Sequence, residues 1–174
     1  MRVYIPATVR MLRTLVTERE LLPVNGTAFA ITPALREAYS SGDDDELAEV
    51  AMAEAARASL RLLAAESEDG AEIHNSDGAP VRRRAVIAAD VDGARLRPDL
   101  DDAVVRLTGP VEYAQVASAH VDLAEAETTI ERAIAVIDDA DLGDADAEFV
   151  LGDAEDHELA WYAAQELPFL VELL

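Results

Sequence analysis

The hydrophobic period of this chain switches back and forth, and that switching limits the fold more than any other feature. Short runs that alternate like strands are separated by stretches with apolar residues at helical spacing. Each such element has one apolar face to bury, so the chain should stack helices on a sheet. Val3, Tyr4 and Ile5 form a β-like run stopped by Pro6. Thr8 can cap a helix over residues 9–19, where Val9, Leu12, Leu15 and Val16 share a face. Asn25-Gly26 predicts a turn, and residues 27–32 alternate as a strand would. Thr32-Pro33 reads as a cap followed by proline at the first helical position, opening a short helix to about Tyr39. The strongest helix spans residues 43–66. Its acidic first turn suits the positive end of the helix dipole. Its apolar arc is rich in alanine (Leu47, Ala51, Met52, Ala55, Ala58, Leu62, Leu63), and Glu46, Glu49, Glu54, Arg57 and Arg61 occupy the other side.

Residues 67–80 read as a loop, and residues 84–91 as a strand closed by Asp92-Gly93. Two further β-like runs, 103–107 and 112–121, predict an antiparallel hairpin through Thr108-Gly109-Pro110. Asp122 and Glu125 resemble a capping box for a helix carrying Leu123, Ala126, Ile130, Ala133, Ile134 and Ile137. Residues 138–146 read as a solvated acidic loop and 148–151 as a last short strand. Residues 158–174 fit strand or helix, and the segment is apolar enough to dock on the body or on a second subunit. The expected fold class is α+β, a mixed β-sheet with packed helices in one domain over residues 1–174. It opens with a β-α-β unit whose crossover should be parallel and right-handed. A doubly wound α/β layout is the alternative.

Charge narrows the function classes. All 14 basic residues are arginine, set against 36 acids, for a net charge of -22. Such a surface repels phosphate backbones and anionic lipid, so neither direct nucleic-acid binding nor membrane binding is expected. No stretch approaches the roughly 20 apolar residues of a membrane span, and the N-terminus lacks a signal-like apolar run. Without cysteine there is no disulfide or thiolate site. A cytoplasmic location and no cofactor are the expectation. A GC-rich coding genome explains the alanine, arginine and acid bias more simply than a dedicated acidic function does.

Four stretches carry a resemblance: MRVYIPATVRM at 1–11, TAFAITPALREAY at 27–39 leading into AMAEAARASLRLL at 51–63, VASAHVD at 116–122 and AWYAAQELP at 160–168. Together they resemble a family of small actinobacterial proteins with a domain of unknown function. The resemblance implies one domain and a GC-rich host. It assigns no role to any residue.

Candidate chemistry comes from four places. Ser118, His120 and Asp122 alternate, so a strand would set them in one row with neighbours roughly 6–7 Å apart. A nucleophilic triad needs a base aimed at the nucleophile and an acid behind the base. A straight row does not converge that way, and no Gly-x-Ser-x-Gly elbow is present. The simpler reading is a half-buried strand ending in a helix cap. His120 and Asp122 are also candidate metal ligands, with His74 or His157 supplied by the fold. Arg82 and Arg84, in the single basic cluster, are candidate anion-binding residues. Local neutralisation or a charged edge strand explains them as well. Trp161, Tyr162 and Phe169 are candidate interface residues. The preferred function is a non-enzymatic interaction or regulatory protein that self-associates or binds a protein partner. The alternative is a small hydrolase using carboxylates or a metal.

Overall fold

A computed structural model describes all 174 residues. In chain order the elements are β1 (Arg2–Ala7), α1 (Val9–Glu18), β2 (Glu20–Leu21), β3 (Thr27–Phe29), α2 (Pro33–Ala38), α3 (Asp44–Glu68) and β4 (Ala85–Asp90). There follow β5 (Arg95–Leu96), β6 (Val104–Arg106), β7 (Val111–Glu112), β8 (Val116–Val121), α4 (Glu127–Asp141), α5 (Ala145–Glu155), β9 (Ala160–Ala163) and α6 (Leu167–Leu173). The main sheet has seven strands in the order β5-β6-β3-β1-β4-β8-β9, and β2 pairs with β7 in a second, two-stranded sheet. Every pairing is antiparallel. The fold is α+β.

Strand register decides what each face buries, because residues directly opposite each other point the same way. One face runs through Val3, Ile5, Ile87, Ala119 and Val121. It packs against Leu12 and Leu15 of α1 and Leu167 and Leu170 of α6. The other face carries Phe29, Val86 and Val104, which meet Leu47, Ala51, Ala55 and Ala56 of α3. Further along, Leu60 and Leu63 of α3 pack on Ile130 and Ile137 of α4 and Leu151 of α5. Helices therefore cover both faces.

Local chemistry explains most helix starts. The side chains of Thr8, Thr32 and Asp43 accept from the backbone N–H groups of Met11, Leu35 and Glu46. The alanine arc of α3 lets that helix lie close to the sheet. There Ser59 Oγ donates to the carbonyl of Ala7 at 2.7 Å and accepts from the N–H of Ala85 at 3.1 Å. A polar residue with no exposure thus ties α3 to β1 and β4. Gly26 turns the chain at φ 67°, and a Cβ there would meet the Leu107 carbonyl at 2.9 Å.

Several expectations need correction. β1 and β3 are neighbours, but antiparallel, not joined by a parallel crossover. The chain between α1 and β3 holds β2 and a 3-10 turn, and that added length lets β3 enter from the opposite end. The expected hairpin does not form. β6 lies between β5 and β3, β8 lies between β4 and β9, and the intervening β7 leaves to pair with β2. Positions inside a seven-stranded sheet bury both faces of these apolar runs, which a two-stranded hairpin cannot do. The acidic loop at 138–146 is mostly helix, and 148–151 is the middle of α5. Asp141 ends α4 in ion pairs with α3, and Asp144 caps α5 by accepting from Ala147 N–H at 2.9 Å. The C-terminal segment is both things in turn, strand β9 and then helix α6, with Pro168 in the first helical turn. Leu167, Leu170 and Leu174 dock that tail on the chain's own core.

Candidate binding cleft

A half-open cleft of about 570 Å³ lies between α3 and the sheet. α3 gives it one wall through Glu49, Met52, Ala53, Ala56, Arg57 and Leu60. These residues fall at helical spacing along one stripe. Arg84, just before β4, and His120, near the end of β8, reach it from the sheet side. Glu155, His157, Glu158 and Leu159, from the end of α5 and the segment leading into β9, complete it.

The deepest polar element is the pair Arg84–Asp122. Arg84 is 3% exposed and Asp122 not at all. Asp122 Oδ2 accepts from the Arg84 backbone N–H at 2.8 Å and from Nε at 2.9 Å, and Oδ1 accepts from Nη2 at 2.8 Å. This two-pronged geometry is the strong form of a charge-assisted hydrogen bond. Nη2 also donates to the His157 carbonyl at 2.9 Å, which fixes the segment between α5 and β9. Nη1 makes no hydrogen bond to the protein. The one buried side-chain polar atom without a partner is Arg106 Nε, so Nη1 is not sealed away from solvent. Arg84 is also one of the residues that line the cleft.

Asp122 is therefore not the cap of α4. A single 3-10 turn precedes α4, and both carboxylate oxygens are held by Arg84. Ser118 Oγ lies 3.1 Å from His120 Nε2. Ser118 is 5% exposed and is not part of the cleft lining. Burial, aided by the charge of Arg2, pushes the His120 imidazole below the ordinary histidine value. The structure joins serine to histidine but turns the acid elsewhere. No group of three or more His, Asp or Glu side chains converges at metal-binding spacing, and His120 does not share Asp122.

The basic cluster divides its work. Arg82 pairs with Glu131 at 2.8 Å and with Glu72 at 3.5 Å, and Arg83 pairs with Glu127 at 2.6 Å. Both hold α4 and the preceding loop in place. Of the two anion-binding candidates, only Arg84 reaches the cleft. At the α3 wall, Arg57 pairs with Asp141 at 3.0 Å and Glu148 at 2.9 Å, and these contacts drive its guanidinium further into the charged form.

Trp161 is the cross-strand neighbour of His120 and shares its face. It is 61% exposed on the edge strand β9, at the cleft side of the sheet. Tyr162 points to the opposite face and packs on the core there. Phe169 is exposed on α6. The three interface candidates thus do not form one patch.

Sequence reasoning missed most of the α3 wall. Met52 belongs to the apolar arc, and Glu49 and Arg57 to the polar one. The cleft lies along the seam between the two arcs, and Ala53 and Ala56 there are too small to fill it. Glu155, His157 and Glu158 gave no periodic signal.

The chain belongs to the family described as "Family of unknown function (DUF6912)", whose model matches residues 1–171. No curated protein matches it, and no solved structure does. No helix is long and apolar enough to cross a membrane.

Proposed function

We propose that this protein is a non-enzymatic binding protein that works through the cleft beside Arg84. The observation that carries this reading is the guanidinium itself. A buried arginine is costly unless paired, and here the pair is complete while one N–H₂ group of a residue that lines a concavity of ligand size stays uncommitted. The hydrolytic alternative would need Ser118 exposed and Asp122 behind His120. The positions of both side chains weigh against it.

Native mass spectrometry on gently purified protein incubated with a small-metabolite extract tests this directly. The expected result is a stoichiometric noncovalent adduct, absent in Ala53→Trp, which fills the cleft from an exposed position of α3. A wild-type mass equal to the bare chain, or an adduct that survives in Ala53→Trp, overturns the reading.

Self-association is a second reading, favoured by Trp161 on an uncharged edge strand. Edge strands without charge or proline are open to pairing with another chain. The same spectra read it. A dimer that Trp161→Lys returns to monomer supports it, and a wild-type monomer removes it.

A further inference from the structure

We infer that the ligand of this cleft is a zwitterion with an apolar body, of the amino-acid or short-peptide class. The inference rests on the binding reading above and adds the ligand's chemistry. Two sets of side chains carry it. At the sheet side, Arg84 offers Nη1, an N–H₂ group with no protein acceptor. His120 adds a second ring nitrogen, since only Nε2 is engaged, by Ser118. An arginine fork paired on one side and free on the other suits a carboxylate or carbonyl oxygen.

Glu49, Glu155 and Glu158 line the same cleft, are exposed, and take part in none of the ion pairs of the structure. Both arginines that line the cleft are already ion-paired. Arg57 answers to Asp141 and Glu148, and Arg84 to Asp122. A purely anionic ligand would meet three unneutralised carboxylates. A purely cationic one would leave Arg84 Nη1 without an acceptor. A ligand bearing both charges satisfies both sets. Met52, Ala56, Leu60 and Leu159 add apolar lining for the ligand's body. The volume exceeds what one small amino acid fills and suits a ligand of dipeptide size or somewhat larger.

The probes are leucyl-leucine, its N-acetyl derivative, which keeps only the carboxylate, and its C-terminal amide, which keeps only the ammonium. Each is titrated into uniformly ¹⁵N-labelled protein, with the amide signals of His120, His157 and Glu158 as the readout. The free dipeptide should shift these signals and saturate. Each single-charge derivative should bind at least tenfold more weakly. Glu155→Gln/Glu158→Gln, at two exposed positions, should weaken the dipeptide and leave the N-acetyl form unchanged or tighter. If either derivative binds the cleft as tightly as the dipeptide, the zwitterion assignment falls while the cleft remains a binding site. If none of the three shifts these signals, the assignment falls as well. The adduct experiment with Ala53→Trp then decides the broader reading by itself.

Discussion

Replacing Asp122 by asparagine removes one charge from a buried pair and leaves the other where it was. Asp122 has no exposure, and its carboxylate accepts three hydrogen bonds, all from Arg84, at 2.8, 2.9 and 2.8 Å. The amide of asparagine can accept with one atom only, and its N–H₂ group faces a donor. Arg84, 3% exposed, then keeps a charge that is almost wholly shut away from solvent. Breaking a buried pair from one side costs about 3–5 kcal/mol. Whole domains have about 5–15 kcal/mol to lose. For a chain of this length each kcal/mol moves Tm by roughly 2–4 °C, so the fall should be roughly 6–20 °C. The assay is urea unfolding at pH 7 followed by far-UV circular dichroism, with the slope checked for constancy so that the midpoint reports stability. The double variant Arg84→Met/Asp122→Leu removes both charges and should recover most of the loss, because apolar replacement of a buried pair is often neutral. A loss below about 1 kcal/mol in Asp122→Asn would refute the reasoning, since an uncompensated buried guanidinium cannot be that cheap.

Two other perturbations probe the frame around the cleft. Ser59→Ala removes the hydroxyl that bridges α3 to β1 and β4 and leaves the N–H of Ala85 without its acceptor. It should cost about 1–3 kcal/mol by urea unfolding, and an unchanged midpoint would show that the bridge is idle. The ion pairs at the α3–α4 junction should show in the acid limb of stability. The hydrogen bond from Arg61 is the main cause that holds the Asp141 carboxyl below its ordinary 3.8; burial opposes it, and a hydrogen bond from Arg57 adds to it. A carboxyl depressed in the folded state contributes stability that is complete above 3.8 and fades as pH drops through the lower folded value. Wild-type protein should therefore lose more stability between pH 7 and pH 3 than Asp141→Asn does. Equal losses would remove Asp141 from the acid response.

What was legible in the sequence was local. Thr8, Thr32-Pro33 and Asp43 announce helix starts because a cap acts within three residues of itself. The apolar spacing of α1 and the alanine arc of α3 announce burial because a helix repeats its face every few residues. Strand runs were legible as runs, and their partners were not. Val104–Arg106 and Val116–Val121 lie close in the chain, yet they sit on opposite sides of β1 and β4, since pairing is chosen by long-range burial. The acids of 138–146 looked like a solvated loop because nothing nearby in sequence answers them. Arg57 and Arg61, far back on α3, do. The cleft shows the same division. His120 and Arg84 could be named from their residue types. That Asp122 belongs to Arg84 and not to His120, and that Glu49, Glu155 and Glu158 gather unpaired around the same space, was settled only when helix, strand and C-terminal segment were packed together. Sequence alone determines each element's exposed and apolar faces. Tertiary packing decides which charges meet, because those contacts join residues tens of positions apart that local propensity does not couple.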